Sequence, residues 1–299
     1  MTQRGKLRAR KVRGHLHEIL PTPPGPTLAE LVWEHRDRVA VSPTALAAAD
    51  EINDRAGRRR NKGTPVRKSF VRSDTEQPPP MARLYQVGGR GGLVAIKLYL
   101  ALLWRCSSPP YRVTQPARAW ATLLGLEDPE GKGVRRVAAA LKSLQAEGLI
   151  QVDFVPGTGN TITLLDESGD GSPYLLPSTE YARASAEPLR ARNRYFKISP
   201  QLWMEGDIQS LKGPGLVMLL ILLAERGGEG LPVWFSTEAF PTRYRISHKT
   251  RAAGTRELID RGLLTIERQP LPDVPGRTFS RRRFRNVYSL INPPPLPEP

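Results

Sequence analysis

The sequence predicts an α+β protein in which one pattern of elements occurs twice. Three observations carry that prediction. The order apolar helix, short strand, capped helix, second capped helix, Gly-Leu, β-hairpin runs through 93–165 and again through 216–291. The last helix of the second copy is bracketed by local signals. Ser247 can accept a hydrogen bond from a first-turn amide, and Gly262 sits where the chain must turn left-handed to end a helix. The net charge of +16 is also unevenly spread.

Residues 1–80 read as a basic N-terminal arm with short helices and a Pro-rich linker. Met1 to Arg13 carries Arg4, Lys6, Arg8, Arg10, Lys11 and Arg13 with no acid, and Pro21 to Pro26 follows. Such composition builds no core, so a partly disordered arm is expected. Leu28–Arg38 and Thr44–Ala56 have helical composition, with Thr27 and Ser42 as caps. Arg58 to Pro80 returns to basic, breaker-rich chain, and the first folded domain is expected to begin near Arg83.

The first copy occupies 81–168. Leu93–Trp104 is an apolar helix and Tyr111–Val113 a short strand, after which Thr114 and Pro116 open a helix through Leu126. In the next helix, Val134–Glu147, the residues Val137, Ala140, Leu141 and Leu144 share one face. Gln151–Val155 and Thr161–Leu165 flank a Gly-rich turn as a hairpin. Residues 169–193, rich in Ser, Gly, Pro and Ala, read as a linker.

The second copy occupies 194–292, with Tyr195–Trp203 expected to pack onto it. Leu216–Ala224 is its apolar helix and Val233–Phe235 its short strand, and Ser236 and Ser247 cap the next two helices. The hairpin runs from Leu263 to Ile291, and 293–299 is a Pro-rich tail. Aligning Gly148 with Gly262 aligns Leu144 with Leu258. In that register Arg251 and Thr255 replace Val137 and Leu141. Arg251 is therefore expected either to weaken the packing or to reach the surface.

Forty-five Lys and Arg against 29 Asp and Glu favour a polyanionic partner. Half of the surplus lies in 240–290, where twelve Lys and Arg face four Asp and Glu, whereas 81–180 is nearly neutral at ten against nine. No apolar signal core follows the basic leader, and the apolar runs are too short to span a bilayer. A cytoplasmic protein without membrane contact is expected, with Cys106 as a reduced core residue.

A Ser-capped basic helix ending in Gly262-Leu263-Leu264 before a strand resembles the recognition helix and first wing strand of a winged helix-turn-helix. Such a helix reads the major groove from its N-terminus. The candidate contacts are therefore Ser247, His248, Lys249, Thr250 and Arg251. The hairpin tip adds Arg277, Arg281, Arg282, Arg283 and Arg285, interleaved with Phe279 and Phe284. Arginine suits this role because its planar fork donates paired hydrogen bonds to phosphate or guanine. In the first copy Lys132, Arg135 and Arg136 stand at the equivalent helix start. That copy is read as a weaker second reader or as a dimerisation unit forming a homodimer. Two winged helices in tandem, from about Arg83 to Ile291, also resemble the theta-type plasmid replication initiators. In that family one domain dimerises while both grip repeated origin sites.

Enzymatic readings find little support. Gly88 to Gly92 lacks the Gly-Lys-Ser/Thr ending of a phosphate-binding loop. His15 and His17 have the spacing of a metal pair but lie in the leader. Four His and one Cys make no zinc pattern. The expectation is a non-enzymatic, sequence-specific double-stranded DNA-binding protein without a cofactor. Transcriptional regulation is placed ahead of plasmid or phage replication initiation, and a protein-interaction scaffold is third.

Overall fold

The computed structural model describes residues 28–57, 61–86, 89–155, 159–226, 233–271 and 283–291. The chain is α+β, with its strands in small antiparallel sheets. It opens with α1 (Leu28–His35), α2 (Pro43–Arg55) and β1 (Thr64–Arg67), then α3 (Pro80–Gln86). Unit one follows as α4 (Gly89–Arg105), β2 (Arg112–Gln115), α5 (Ala117–Leu123), α6 (Lys132–Ala146), β3 (Ile150–Val155) and β4 (Gly159–Leu164). Next come α7 (Pro177–Arg183), α8 (Glu187–Arg192), β5 (Tyr195–Ile198), α9 (Gln201–Met204) and α10 (Asp207–Ser210). Unit two is α11 (Gly213–Glu225), β6 (Val233–Trp234), α12 (Ala239–Tyr244), α13 (His248–Asp260), β7 (Leu264–Pro270) and β8 (Phe284–Leu290).

The two units repeat in topology as well as in order. Each has a three-stranded sheet with its last strand central, β2-β4-β3 in one and β6-β8-β7 in the other. Their third helices end alike. Gly148 and Gly262 have φ of +66° and +63°, and the following amides of Leu149 and Leu263 return to the carbonyls of Leu144 and Leu258 at 3.0 and 2.9 Å. This is the left-handed cap that glycine adopts without steric cost. Val137, Ala140, Leu141 and Leu144 are buried on one face of α6. In unit two the closest approach is at Gly254, where a Cβ would stand 2.1 Å from the Pro214 carbonyl oxygen and 2.6 Å from Met218 Cγ. Helix α11 is buried almost all round. Its own unit covers one side, and β5 packs against it as well.

Several helix starts differ from expectation: α4 begins at Gly89 and α11 at Gly213 rather than at Leu93 and Leu216, and Glu238 rather than Ser236 is the N-cap of α12. Thr114 lies within β2, hydrogen-bonded to Thr161 at 2.7 Å, so Pro116 takes the N-cap of α5. Helix α6 begins at Lys132 rather than Val134, because the Asp128 carboxylate accepts the Lys132 amide at 2.9 Å.

The larger corrections concern 28–80 and 169–193, which do not behave as arm and linker. Strand β1 pairs antiparallel with β5, from Thr64↔Ile198 to Arg67↔Tyr195. It packs on α4 of unit one, while β5 packs on α11 of unit two. Trp33, Val66, Phe70 and Val71 join a core that runs continuously through both units. Trp104 of α4 stacks on Trp203 of α9 with centroids 5.7 Å apart. The basic residues that give this stretch its linker-like composition are partly neutralised inside. Arg67 is buried against Glu167, with Asp166 at 3.4 Å. Its remaining donors reach Asn193 Oδ1 at 3.1 Å and the Leu175 carbonyl at 2.8 Å. Arg36 is held the same way, by Asp207 at 2.6 and 2.7 Å and by Glu205 at 2.7 Å. The leader through residue 27 and the tail from residue 292 lie outside the described residues.

Cys106 is buried, and burial pushes its thiol up to about 12. Among the described residues no helix is long and apolar enough to cross a membrane.

The buried charges have measurable consequences for stability. Glu167→Ala strands the Arg67 guanidinium in the core and should lower the unfolding free energy by about 3–5 kcal/mol, measured by urea denaturation at pH 8. Lys97 of α4 donates from the interior to the Gln209 carbonyl at 2.8 Å, and burial lowers its ammonium from 10.5 to about 8. Between those values the unfolded chain binds a proton that the folded chain does not, so stability rises with pH from about 8 to 10.5. Lys97→Met should abolish that part of the slope. An unchanged difference between pH 8 and pH 10 would contradict the assignment.

Candidate nucleic-acid interface

The start of α13 is built by its cap. Ser247 is extended, and its Oγ accepts the Thr250 amide at 3.1 Å. No acidic residue occupies the first turn. His248, Lys249, Ala252, Ala253 and Arg256 are exposed, a set spaced along one helical face. The alanines leave that face shallow between two cations. Sequence reasoning misses Arg256, although it lies seven residues, or two turns, beyond Lys249.

Arg251 belongs to the opposite face, with Gly254 and Leu258. Its guanidinium lies 4.7 Å from the Phe240 centroid, 5.2 Å from Phe235 and 5.6 Å from Tyr288. It also donates to the Tyr288 hydroxyl at 2.9 Å. The expectation of a surface contact at Arg251 is therefore corrected. The residue occupies the core position of Val137, and the aromatic ring faces replace aliphatic packing. It ties α13 to the central strand β8.

Strand alternation divides the hairpin. Trp234 pairs directly with Val287, so the two share a sheet face, and Arg285 lies on that face two residues away. Its guanidinium is 5.3 Å from the exposed Trp234 ring. Tyr288, which contacts α13 through Arg251, points to the other face. Arg285 is thus turned away from the α13 side and is not brought together with Lys249. Arg268, absent from the expected set, shares the Tyr288 face and lies 4.5 Å over Phe284. Its signal is the cross-strand register, Arg268↔Asn286, which requires knowing the pairing. Arg283 is exposed beside Phe284. Arg277, Arg281 and Arg282 lie outside the described residues.

The turn before α13 is braced from a distance. Arg245 adopts φ 52° and donates to the Glu76 carbonyl oxygen at 3.1 Å and to its carboxylate at 3.3 Å. Gln86 donates to the Arg245 carbonyl at 2.8 Å. At the far end, a Cβ on Gly262 would meet Arg36 Cβ at 2.9 Å. Segments ahead of unit one therefore set both ends of α13.

Unit one presents a different helix start. Lys132 and Arg135 are exposed and Arg136 is half-buried, but the Asp128 carboxylate already accepts the amides of Gly131 at 3.1 Å and Lys132 at 2.9 Å. The Lys132 amide bond chiefly holds that carboxyl below its ordinary range. An anion approaching α6 meets a carboxylate, whereas one approaching α13 meets a neutral hydroxyl.

Comparison with protein-family models, characterised proteins and solved structures returns no match.

Arg251→Ala should lower stability by roughly 2–3 kcal/mol, because it removes the packing on three rings and a charged hydrogen bond. It should leave the salt dependence of any nucleic-acid affinity unchanged. A stable variant with a shallower salt response would instead make Arg251 a phosphate contact.

Proposed function

We propose that this protein is a sequence-specific double-stranded DNA-binding protein built from two winged helices, acting as a transcriptional regulator by binding rather than catalysis. The exposed, acid-free start of α13 carries the reading. A helix fits the major groove and reads bases from its first turns, and here those turns offer His248, Lys249 and Thr250 with Ala252 and Ala253 permitting close approach. Lys249 suits the guanine acceptors and Thr250 a thymine methyl or a phosphate. The helix dipole at the start of α13 favours a phosphate beside it. Arg256, Arg268 and Arg283 extend the positive surface from helix to hairpin, and Arg277, Arg281 and Arg282 add charge in the hairpin sequence.

Unit one is the weaker grip in this reading. Asp128 opposes a phosphate at its helix end, so Lys132 and Arg135 contribute at longer range. Its second role is self-association into a homodimer. Replication initiation would use the same unit-two surface and differs in the DNA bound rather than in the residues that bind it.

Gel-shift titrations across salt test the proposal. Affinity should fall steeply as salt rises. Lys249→Ala, and separately the triple replacement of Arg281, Arg282 and Arg283 by Ala, should each weaken binding. The log–log slope should become shallower by about one for each phosphate that is no longer neutralised. A flat salt response, or one unaltered by both variants, would remove DNA binding as the function. Protection confined to a promoter without melting supports regulation. Protected tandem repeats beside a melted AT-rich tract support origin binding.

A further inference from the structure

A second cationic surface lies in the junction between the two units. A cleft of ≈ 540 Å³ is lined by Lys68, Arg194, Lys197 and Arg226 together with Tyr181 and Tyr195, and among the described residues no acidic side chain lines it. Lys68 follows β1 and Lys197 lies in β5 opposite Pro65, so the cleft wraps the strand pair that joins the units. The Lys68 amide donates to the Arg194 carbonyl at 2.8 Å, and the Arg194 guanidinium is paired with Glu187. The rings of Tyr181 and Tyr195 meet edge to face at 6.0 Å. Burial chiefly holds the Lys68 ammonium below its ordinary value, with Arg72 and Arg194 adding to the effect and Glu225 opposing it. An anion in the cleft would relieve that imbalance.

The size of the cleft fits a discrete ligand, and a mixed-charge groove adjoins it. The groove leads from Lys68 past Ser73 to α12. Asp74, Glu76 and Glu238 line its end at α12 together with Arg243 and Arg245. Pockets of several hundred Å³ with convergent polar groups are the size that small ligands fill.

We propose that this cleft binds a phosphorylated small molecule of nucleotide size, its phosphates on Lys68 and Lys197 and its ring against Tyr181 and Tyr195. The inference goes beyond the DNA-binding reading and stands without it. Calorimetric titration of the full chain with adenosine triphosphate, inorganic pyrophosphate and an oligothymidylate tests it. Adenosine triphosphate should saturate one site per chain and should not be displaced by duplex DNA. Lys197→Glu, on an exposed strand position, should weaken that binding about tenfold or more with the thermal midpoint retained. Tyr181→Ala should weaken adenosine triphosphate while sparing pyrophosphate. Lys68→Met provides a second charge removal should Lys197→Glu disturb the strand. Absence of saturation, or unchanged wild-type affinity in both Lys197→Glu and Lys68→Met, would overturn the site. Tighter binding of oligothymidylate that displaces adenosine triphosphate would overturn the small-molecule assignment in favour of a single-strand path.

Discussion

A buried guanidinium is tolerated only where its carboxylates are already in place, and two such arginines hold this fold together. Arg67 draws β1, the Asp166–Glu167 turn, the Leu175 carbonyl and Asn193 to one point. Arg36 draws α1 onto Glu205 and Asp207 beneath the end of α13. Burial pushes the Glu167 carboxyl up to about 7 against the pull of Arg67, so the cluster requires every partner. The cost secures specificity of arrangement. Each carboxylate lies far along the chain from its arginine, and an alternative docking of the units would leave a charge unpaired.

This internal pairing changes how the +16 charge is read. Arg36 and Arg67 are neutralised in the interior, and Arg72, Arg83, Arg243 and Arg245 are committed to ion pairs nearer the surface. Of the described cations not so engaged, Lys249, Arg256, Arg268 and Arg283 lie on α13 and its hairpin, and Lys68 and Lys197 lie at the β1–β5 junction, where Arg194 is paired with Glu187. The proposed DNA contact uses the first. The proposed phosphate site uses the second.

Much of unit two was legible from local signals. The Ser247 cap and the Gly262 stop depend on hydrogen bonds within a few residues, and both helix ends lie where those residues put them. The alignment of Leu144 with Leu258 also identifies two equivalent core positions, both fully buried. Arg251 was illegible because its environment comes from three rings on three other segments. Arg285 and Arg268 were sorted to opposite faces only by strand register, where one residue reverses the side. Asp128 carried no sign of its capping role until the loop before α6 brought it under the first amides.

The sequence alone determined the α+β class, the repeated order of elements, the caps of α13 and the concentration of charge in 240–290. These rest on short-range periodicity and on the stereochemistry of single residues. Only the tertiary structure decided that 28–57, 61–80 and 169–193 belong to the folded body, which arginines face outward, and that the units share one core. Those outcomes depend on partners such as Arg67 and Glu167, one hundred residues apart. Composition marks a basic stretch in the same way whether its charge meets solvent or a buried carboxylate.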